Sequence, residues 1–170
     1  MPVADRPIPP LNADEHTTLA SWLDFYRATL AIKCDGLDER QIRTASVPPS
    51  PLTLLGLVQH LAEVERNWFR RVLLGEVVEA IYDQQTATEG HDGGFDLRDE
   101  ITFDIAHAIW QREISQARAN CADRSLDQTS PFMAGVVTLR WIYTHMIAEY
   151  ARHNGHADLI RERIDGRRGV

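Results

Sequence analysis

The sequence predicts an all-helical protein, and two features of its patterning support this fold class. Four long segments carry apolar residues at helical spacing, which is the pattern of amphipathic helices. No segment alternates apolar and polar residues between hairpin turns, so we assign no β-sheet. Four such helices in 170 residues predict a four-helix bundle that forms one domain over residues 1–170.

The chain opens with a proline-rich stretch, residues 1–11, which we expect to run as an extended N-terminal arm. The first helix follows, with Asn12 as its predicted N-cap and Glu15 as its capping-box partner. Gly36 stands where glycine commonly ends a helix. The apolar stripe of this helix consists of Leu19, Trp22, Leu23, Tyr26 and Leu30.

The second helix is predicted to begin at Ser50 and Pro51, because proline is favoured in the first helical turn. It continues to about Gly75. Its stripe consists of Leu54, Leu57, Leu61, Val64, Trp68 and Val72. The later segment from Thr86 to Asp96 contains glycines and acidic residues, which indicate an exposed loop. This loop is long enough to serve as a crossover connection between the second and third helices.

The third helix is predicted from about Thr102 to Ala122. Its buried side is expected to contain Ile105, Ile109, Ile114 and Ala117. After a turn-rich link, the fourth helix is predicted to be capped by Thr138 and to run to about Asp165, next to Gly166. Its stripe consists of Ile142, Met146, Glu149, His153, Ala157, Ile160 and Ile164.

Composition and charge exclude several classes of function. The net charge is −7 and basic residues are scattered among acidic ones, so we expect no nucleic-acid partner. The most basic stretch, residues 161–168, is expected to be a solvated helix end. Without a long apolar run or an apolar N-terminal region, we expect a soluble cytoplasmic protein with no membrane segment or signal peptide. Cys34 and Cys121 form no C-x-x-C motif and are expected to be buried, inert thiols.

Polar residues interrupt two of the apolar stripes and mark a candidate metal site. His60 interrupts the second helix, and Glu149 and His153 lie on one face of the fourth, four residues apart. A carboxylate on a buried face is costly unless it is paired or bound to a metal. Two histidines and a carboxylate suit one divalent ion, zinc first, with nickel or iron as alternatives. The spacing leaves a second interpretation open, in which Glu149 pairs with an arginine or with protonated His153.

Neighbouring polar residues have alternative roles. His145, one turn before Glu149, is either a fourth ligand or, as we prefer, an outer-shell or core residue. Glu63 and Asn67 follow His60 and either contact substrate and ligands or are solvated helix residues, which is the simpler interpretation. His156 is expected to face the surface.

Two stretches of the sequence resemble the signature segments of a known family. They read LTLLGLVQHLAEVERNWF over residues 52–69 and LRWIYTHMIAEYARHNGHADLIRERIDG over residues 139–166. Both resemble the DinB-like superfamily, and more narrowly its mini-circle protein branch, related to mycothiol-dependent maleylpyruvate isomerase and presumed mycothiol transferases. The resemblance implies a DinB-like four-helix bundle with one metal between the second and fourth helices. It implies His60, Glu149 and His153 as the ligands, with glutamate in the middle position as in that isomerase.

Three protein ligands leave an open coordination position, which is typical of catalytic rather than structural sites. We expect a metal-dependent thiol S-transferase that uses a low-molecular-weight thiol such as mycothiol, or bacillithiol in other hosts, on an electrophilic small molecule. The alternatives are a metal-dependent hydrolase and a non-catalytic metal-binding stress-response bundle. The resemblance also implies a homodimer, which would cover part of the large aromatic surface of Trp22, Trp68, Trp110 and Trp141.

Overall fold

The computed structural model of the protein describes residues 6–82 and 93–169. Helices dominate these ranges, in agreement with the predicted fold class. They are α1 (Glu15–Cys34), α2 (Glu39–Ile42), α3 (Leu54–Arg66), α4 (Phe103–Cys121) and α5 (Leu139–Asp165), and α3 passes into a π-helical segment, Asn67–Val72. Most of the predicted crossover loop and part of the N-terminal arm lie outside the described residues. None of the described helices combines the length and apolar character that crossing a bilayer requires.

A two-stranded antiparallel hairpin precedes α5 and corrects the prediction that the chain has no sheet. Its strands are β1 (Thr129–Phe132) and β2 (Gly135–Thr138). The buried Ser130 hydroxyl donates a 2.8 Å hydrogen bond to the carbonyl of Leu73, which ties β1 to the end of the π-helical segment. Each strand has four residues, which is too short for a recognisable period-two pattern in the sequence.

Two predicted helix starts are wrong and two are confirmed. Asp14 rather than Asn12 caps α1, because its carboxylate accepts hydrogen bonds from the Thr17 hydroxyl at 2.6 Å and the Thr17 backbone nitrogen at 2.9 Å. These hydrogen bonds from Thr17 stabilise the charged form and lower the pKa of Asp14.

The helix predicted to begin at Ser50 begins at Leu54 instead. Thr102 caps α4 as predicted. The Thr138 hydroxyl accepts from the backbone nitrogen of Trp141, also as predicted.

Contacts between Cα atoms divide the chain into two compact units, of which the first comprises residues 1–54 and 143–170. Its buried apolar side chains include Leu23, Leu30, Ile42, Met146, Tyr150 and Ile160. Arg161 departs from the predicted solvated helix end, because it is only 3% exposed. Its guanidinium donates to the carbonyls of Lys33 at 2.8 Å and Asp35 at 2.7 Å, and to the Asp165 carboxylate. Arg161 therefore satisfies carbonyls at the C-terminal end of α1, a role that helix termini require.

The second unit comprises residues 55–142. The buried face of α4 consists of Ala106, Trp110, Glu113, Ile114, Ala117 and Cys121. The predicted buried side is confirmed at Ile114 and Ala117. It is wrong at Ile105, which is 43% exposed, and Ile109 is half-buried. Glu113 belongs to the buried face although it is charged, since Arg66 and Arg70 neutralise it at 2.6 and 3.4 Å. Apolar periodicity does not mark a charged residue on a buried face, which is why the prediction did not include Glu113.

Candidate metal centre

The three residues predicted as metal ligands are buried, and their ligand atoms lie close together. His60, Glu149 and His153 are 2%, 5% and 6% exposed. Each residue offers one nitrogen or oxygen ligand atom, and these three atoms all lie within 4.8 Å of one another. Ligand atoms of one zinc ion stand roughly 3–4 Å apart, given metal-ligand bonds of about 2 Å. The arrangement is therefore a possible metal-binding triad.

His60 lies on α3 and its ring is held by the segment before α4. Its Nδ1 atom is 3.1 Å from the carbonyl oxygen of Gly93. Because a carbonyl oxygen only accepts, Nδ1 carries the proton, and Nε2 has the lone pair of the neutral ring. The ring of Phe95 stacks on the imidazole with centroids 4.4 Å apart and planes 18° from parallel. These two contacts leave Nε2 as the nitrogen of His60 that could bind a metal.

Glu149 and His153 lie one turn apart on α5 and present adjacent ligand atoms. The Oε1 atom of Glu149 is 3.0 Å from Nε2 of His153. The other oxygen, Oε2, accepts a 3.1 Å hydrogen bond from Arg152. Both pairings that the sequence left open for Glu149, with an arginine and with His153, are thus present. They hold the carboxylate in position. Because a carboxylate oxygen only accepts, Nε2 of His153 is the donor here, and it could bind a metal after losing that proton.

His156 contacts the same site, contrary to the expectation that it faces the surface. Its Nδ1 atom is 3.3 Å from Nδ1 of His153. Burial lowers the pKa of His156, and the nearby His153 and Arg152 lower it further. The Nδ1 atom of a neutral His156 is a donor or an acceptor according to its tautomer, so it can pair with Nδ1 of His153 and orient that ring. Among the residues that the structure describes, His145 does not belong to the close group of ligand atoms.

Glu63 is neither a solvated residue nor one of the close ligands. It is 7% exposed, and its carboxylate accepts from Arg71 at 3.1 Å and from the backbone nitrogen of Ile81 at 2.7 Å. Arg71 also donates to the carbonyl of Val78. Glu63 therefore fastens the stretch after the π-helical segment to α3. Asn67, the other residue considered beyond His60, is half-buried at the start of that segment.

Sequence reasoning missed the part of the site formed by Gly93, Gly94 and Phe95. The predicted loop was expected to be exposed, whereas both glycines are buried and Phe95 is half-buried. The φ angles of Gly93 and Gly94 are 68° and 86°, in the left-handed region that glycine tolerates best. The only sequence signal is the pair of adjacent glycines, which indicates a turn and not the partner that the turn contacts.

The two cysteines are buried, as predicted, and neither belongs to the close group of ligand atoms. Cys34 and Cys121 are both unbridged and each is 2% exposed. Burial raises the pKa of Cys34 to about 12, so its thiol stays protonated at neutral pH. Any reactive thiolate in this site would therefore have to come from a small molecule.

Comparison with known proteins identifies the family. No curated protein matches the sequence. The family described as Mycothiol-S-transferase matches residues 18–166, a span that includes His60, Glu149 and His153. This match covers most of the chain and agrees with the DinB-like, mycothiol-related resemblance of the two signature segments. The chain belongs to the mycothiol-S-transferase family.

Proposed function

We propose that this chain is a metal-dependent thiol S-transferase, with one divalent ion held by His60, Glu149 and His153. Its thiol substrate is mycothiol or a similar low-molecular-weight thiol, and its acceptor is an electrophilic small molecule. The observation that supports this most strongly is the compact, buried group of two imidazoles and a carboxylate. Family membership supports the choice of thiol.

The donor set fits a divalent transition metal, zinc before nickel or iron. Two imidazole nitrogens and one carboxylate oxygen match catalytic zinc sites, which keep one position for substrate or water. Glu149 contributes one negative charge, so a dication there keeps a net positive charge. When bound, the ion lowers the pKa of a thiol in the fourth position and stabilises its thiolate.

Each ligand has a partner that orients it. His60 donates from Nδ1 to Gly93 and presents Nε2. The Oε2 atom of Glu149 accepts from Arg152, so Oε1 would be the oxygen that holds the ion. When Nε2 of His153 serves as the ligand atom, the proton of this ring lies on Nδ1, where His156 is the acceptor. Such outer partners fix tautomers and ring orientation in metal sites.

The transfer itself needs few protein groups. The thiol proton leaves to solvent, and the sulfur lone pair forms a new bond to the electrophilic carbon. In a substitution, the leaving group departs with its bonding electron pair; in an addition, the substrate takes up a proton instead. The chain's own cysteines do not compete for the electrophile, because both are buried.

Cobalt substitution tests the proposal. Addition of mycothiol to the cobalt protein should produce a sulfur-to-metal charge-transfer band in the near ultraviolet, with release of a proton. Glu149→Gln removes the ligand charge with little change in shape and should lower cobalt affinity at least ~10-fold. Glu162→Gln, an exposed carboxylate on the same helix, is the matched control and should leave affinity unchanged.

Three outcomes distinguish this function from its alternatives. Turnover of an electrophile that requires thiol supports the transferase. Turnover that proceeds equally without thiol favours a metal-dependent hydrolase with water in the fourth position. An absence of any thiol response, combined with a large loss of stability on chelation, favours a metal-binding bundle with a closed structural site and would reject the transferase.

A homodimer is the assembly that we propose. Trp22 and Trp141 keep 41% and 47% of their surface exposed, whereas Trp68 and Trp110 are buried. Exposed apolar surface of this kind favours association. Light scattering at high micromolar concentration measures the assembly directly, and a monomer under those conditions would reject the dimer.

A further inference from the structure

The backbone of residue 94 lies against the backbone of α3 at His60. A Cβ atom added to Gly94 would stand 2.7 Å from the backbone nitrogen of His60, 2.8 Å from its Cα and 2.9 Å from the carbonyl carbon of Gln59. These atoms belong to a regular helix and cannot move away as a flexible side chain can. Any residue larger than glycine would therefore displace this segment from α3.

Because this segment lies so close to α3, two of its residues contact the ring of His60. The carbonyl of Gly93 receives the Nδ1 proton at 3.1 Å, and Phe95 stacks on the ring face at 4.4 Å. The hydrogen bond selects the tautomer, and the stacking limits rotation of the ring. Together they restrict the two properties that determine whether a histidine is ready to bind a metal, namely which nitrogen has the lone pair and where it points.

We propose that Gly93, Gly94 and Phe95 form a clamp that presets His60 as a metal ligand before the ion arrives. In this clamp, Gly94 permits the close approach, Gly93 fixes the tautomer and Phe95 fixes the ring plane. All three are positioning residues, because each acts through its contact with His60 or with the backbone of α3. The inference rests on the metal site proposed above and extends it to a segment outside the two signature stretches.

Substitution of Gly94 by alanine tests the clamp, and Gly75→Ala is the matched control. Both glycines have positive φ, 86° and 69°, so both variants carry similar backbone strain. A Cβ on Gly75 meets nothing within 4 Å, whereas one on Gly94 meets α3. In zinc competition titrations, Gly94→Ala should lose roughly 10–100-fold in affinity, as other changes to outer partners do. Gly75→Ala should stay within about twofold of the unsubstituted protein on the same principle.

A second variant and a metal-free measurement cover the case in which Gly94→Ala does not fold. Phe95→Leu keeps apolar volume but removes the stacking, and should weaken zinc binding on the order of threefold to tenfold. In metal-free protein, ¹⁵N chemical shifts of the His60 ring, assigned by their loss in His60→Gln, should report the Nδ1-protonated tautomer. The Gly94→Ala variant should shift that tautomer population.

Failure of the clamp can be distinguished from failure of the metal site. If His60→Gln abolishes zinc binding while Gly94→Ala and Phe95→Leu bind zinc normally, the clamp is overturned and the metal site stands. If zinc binding does not depend on His60, the metal site is rejected, and the clamp as a presetting device is rejected with it. An Nε2-protonated ring in the metal-free protein also overturns the clamp.

Discussion

Two buried carboxylates of this chain have different surroundings. Glu113, with 1% of its side chain exposed, lies 2.6 Å from Arg66 and 3.4 Å from Arg70. Glu149, with 6% of its side chain exposed, lies 3.0 Å from Nε2 of His153 and 3.1 Å from Arg152. The Arg152 side chain is itself 64% exposed, so its pairing with Glu149 is screened by solvent.

The difference separates a structural charge from one that can bind a cation. Guanidinium groups remain protonated in proteins and have no lone pair for a metal. An imidazole loses its proton near neutral pH and then becomes a ligand. Glu113 is therefore paired with groups that cannot bind a metal. Glu149 lies beside an imidazole that could bind the same ion as the carboxylate. Burial alone does not distinguish the two carboxylates; the chemistry of the neighbours does.

The largest expected effect is loss of the metal on replacement of both histidine ligands. His60→Ala combined with His153→Ala should reduce the metal content from about one ion per chain to none, because a single carboxylate retains zinc poorly. Elemental analysis after gel filtration measures this. His107→Ala is the control, since His107 packs between Phe103 and Trp110 on α4 and lies outside the close group. Full occupancy in the double variant would exclude these ligands.

The next effect concerns the arginine-bound carboxylate. Glu113→Gln should lower the free energy of unfolding by about 3 kcal/mol, because breaking a buried ion pair leaves charge without compensation. The metal content should not change. Urea denaturation measures the first quantity and elemental analysis the second. A stability loss below about 1 kcal/mol, the range of exposed pairs, would show that Glu113 is not the structural member of the comparison.

The smallest effect is expected at Glu149 when no metal is bound. Glu149→Gln in chelated protein should change the free energy of unfolding by about 1 kcal/mol or less, because its arginine partner is mostly in solvent. Zinc should then stabilise the unsubstituted protein more than this variant, by linkage to tighter binding. Thermal unfolding with and without zinc provides the measurement. Equal losses in the free energy of unfolding for Glu113→Gln and metal-free Glu149→Gln would contradict the distinction between the two carboxylates.

The sequence by itself determined the helical class, the caps at Thr102 and Thr138, and the three residues that form the close group. The physical reason is locality, since helical periodicity and capping involve residues three or four positions apart. His60, Glu149 and His153 stood out because each interrupted an apolar stripe. The resemblance of the two signature segments supplied the expectation that these stripes meet at one ion.

The tertiary structure alone decided which partners complete the site and the core. The hydrogen bond from His60 to Gly93 joins residues 33 positions apart, and the one from Arg161 to Lys33 joins residues 128 positions apart. Contacts over such separations leave no periodic signal in the sequence. For that reason a basic helix end was taken as solvated, and a glycine pair as an ordinary exposed loop. Only in the folded chain does the glycine pair lie against a helix backbone. The lack of a Cβ atom at Gly94 permits that close contact.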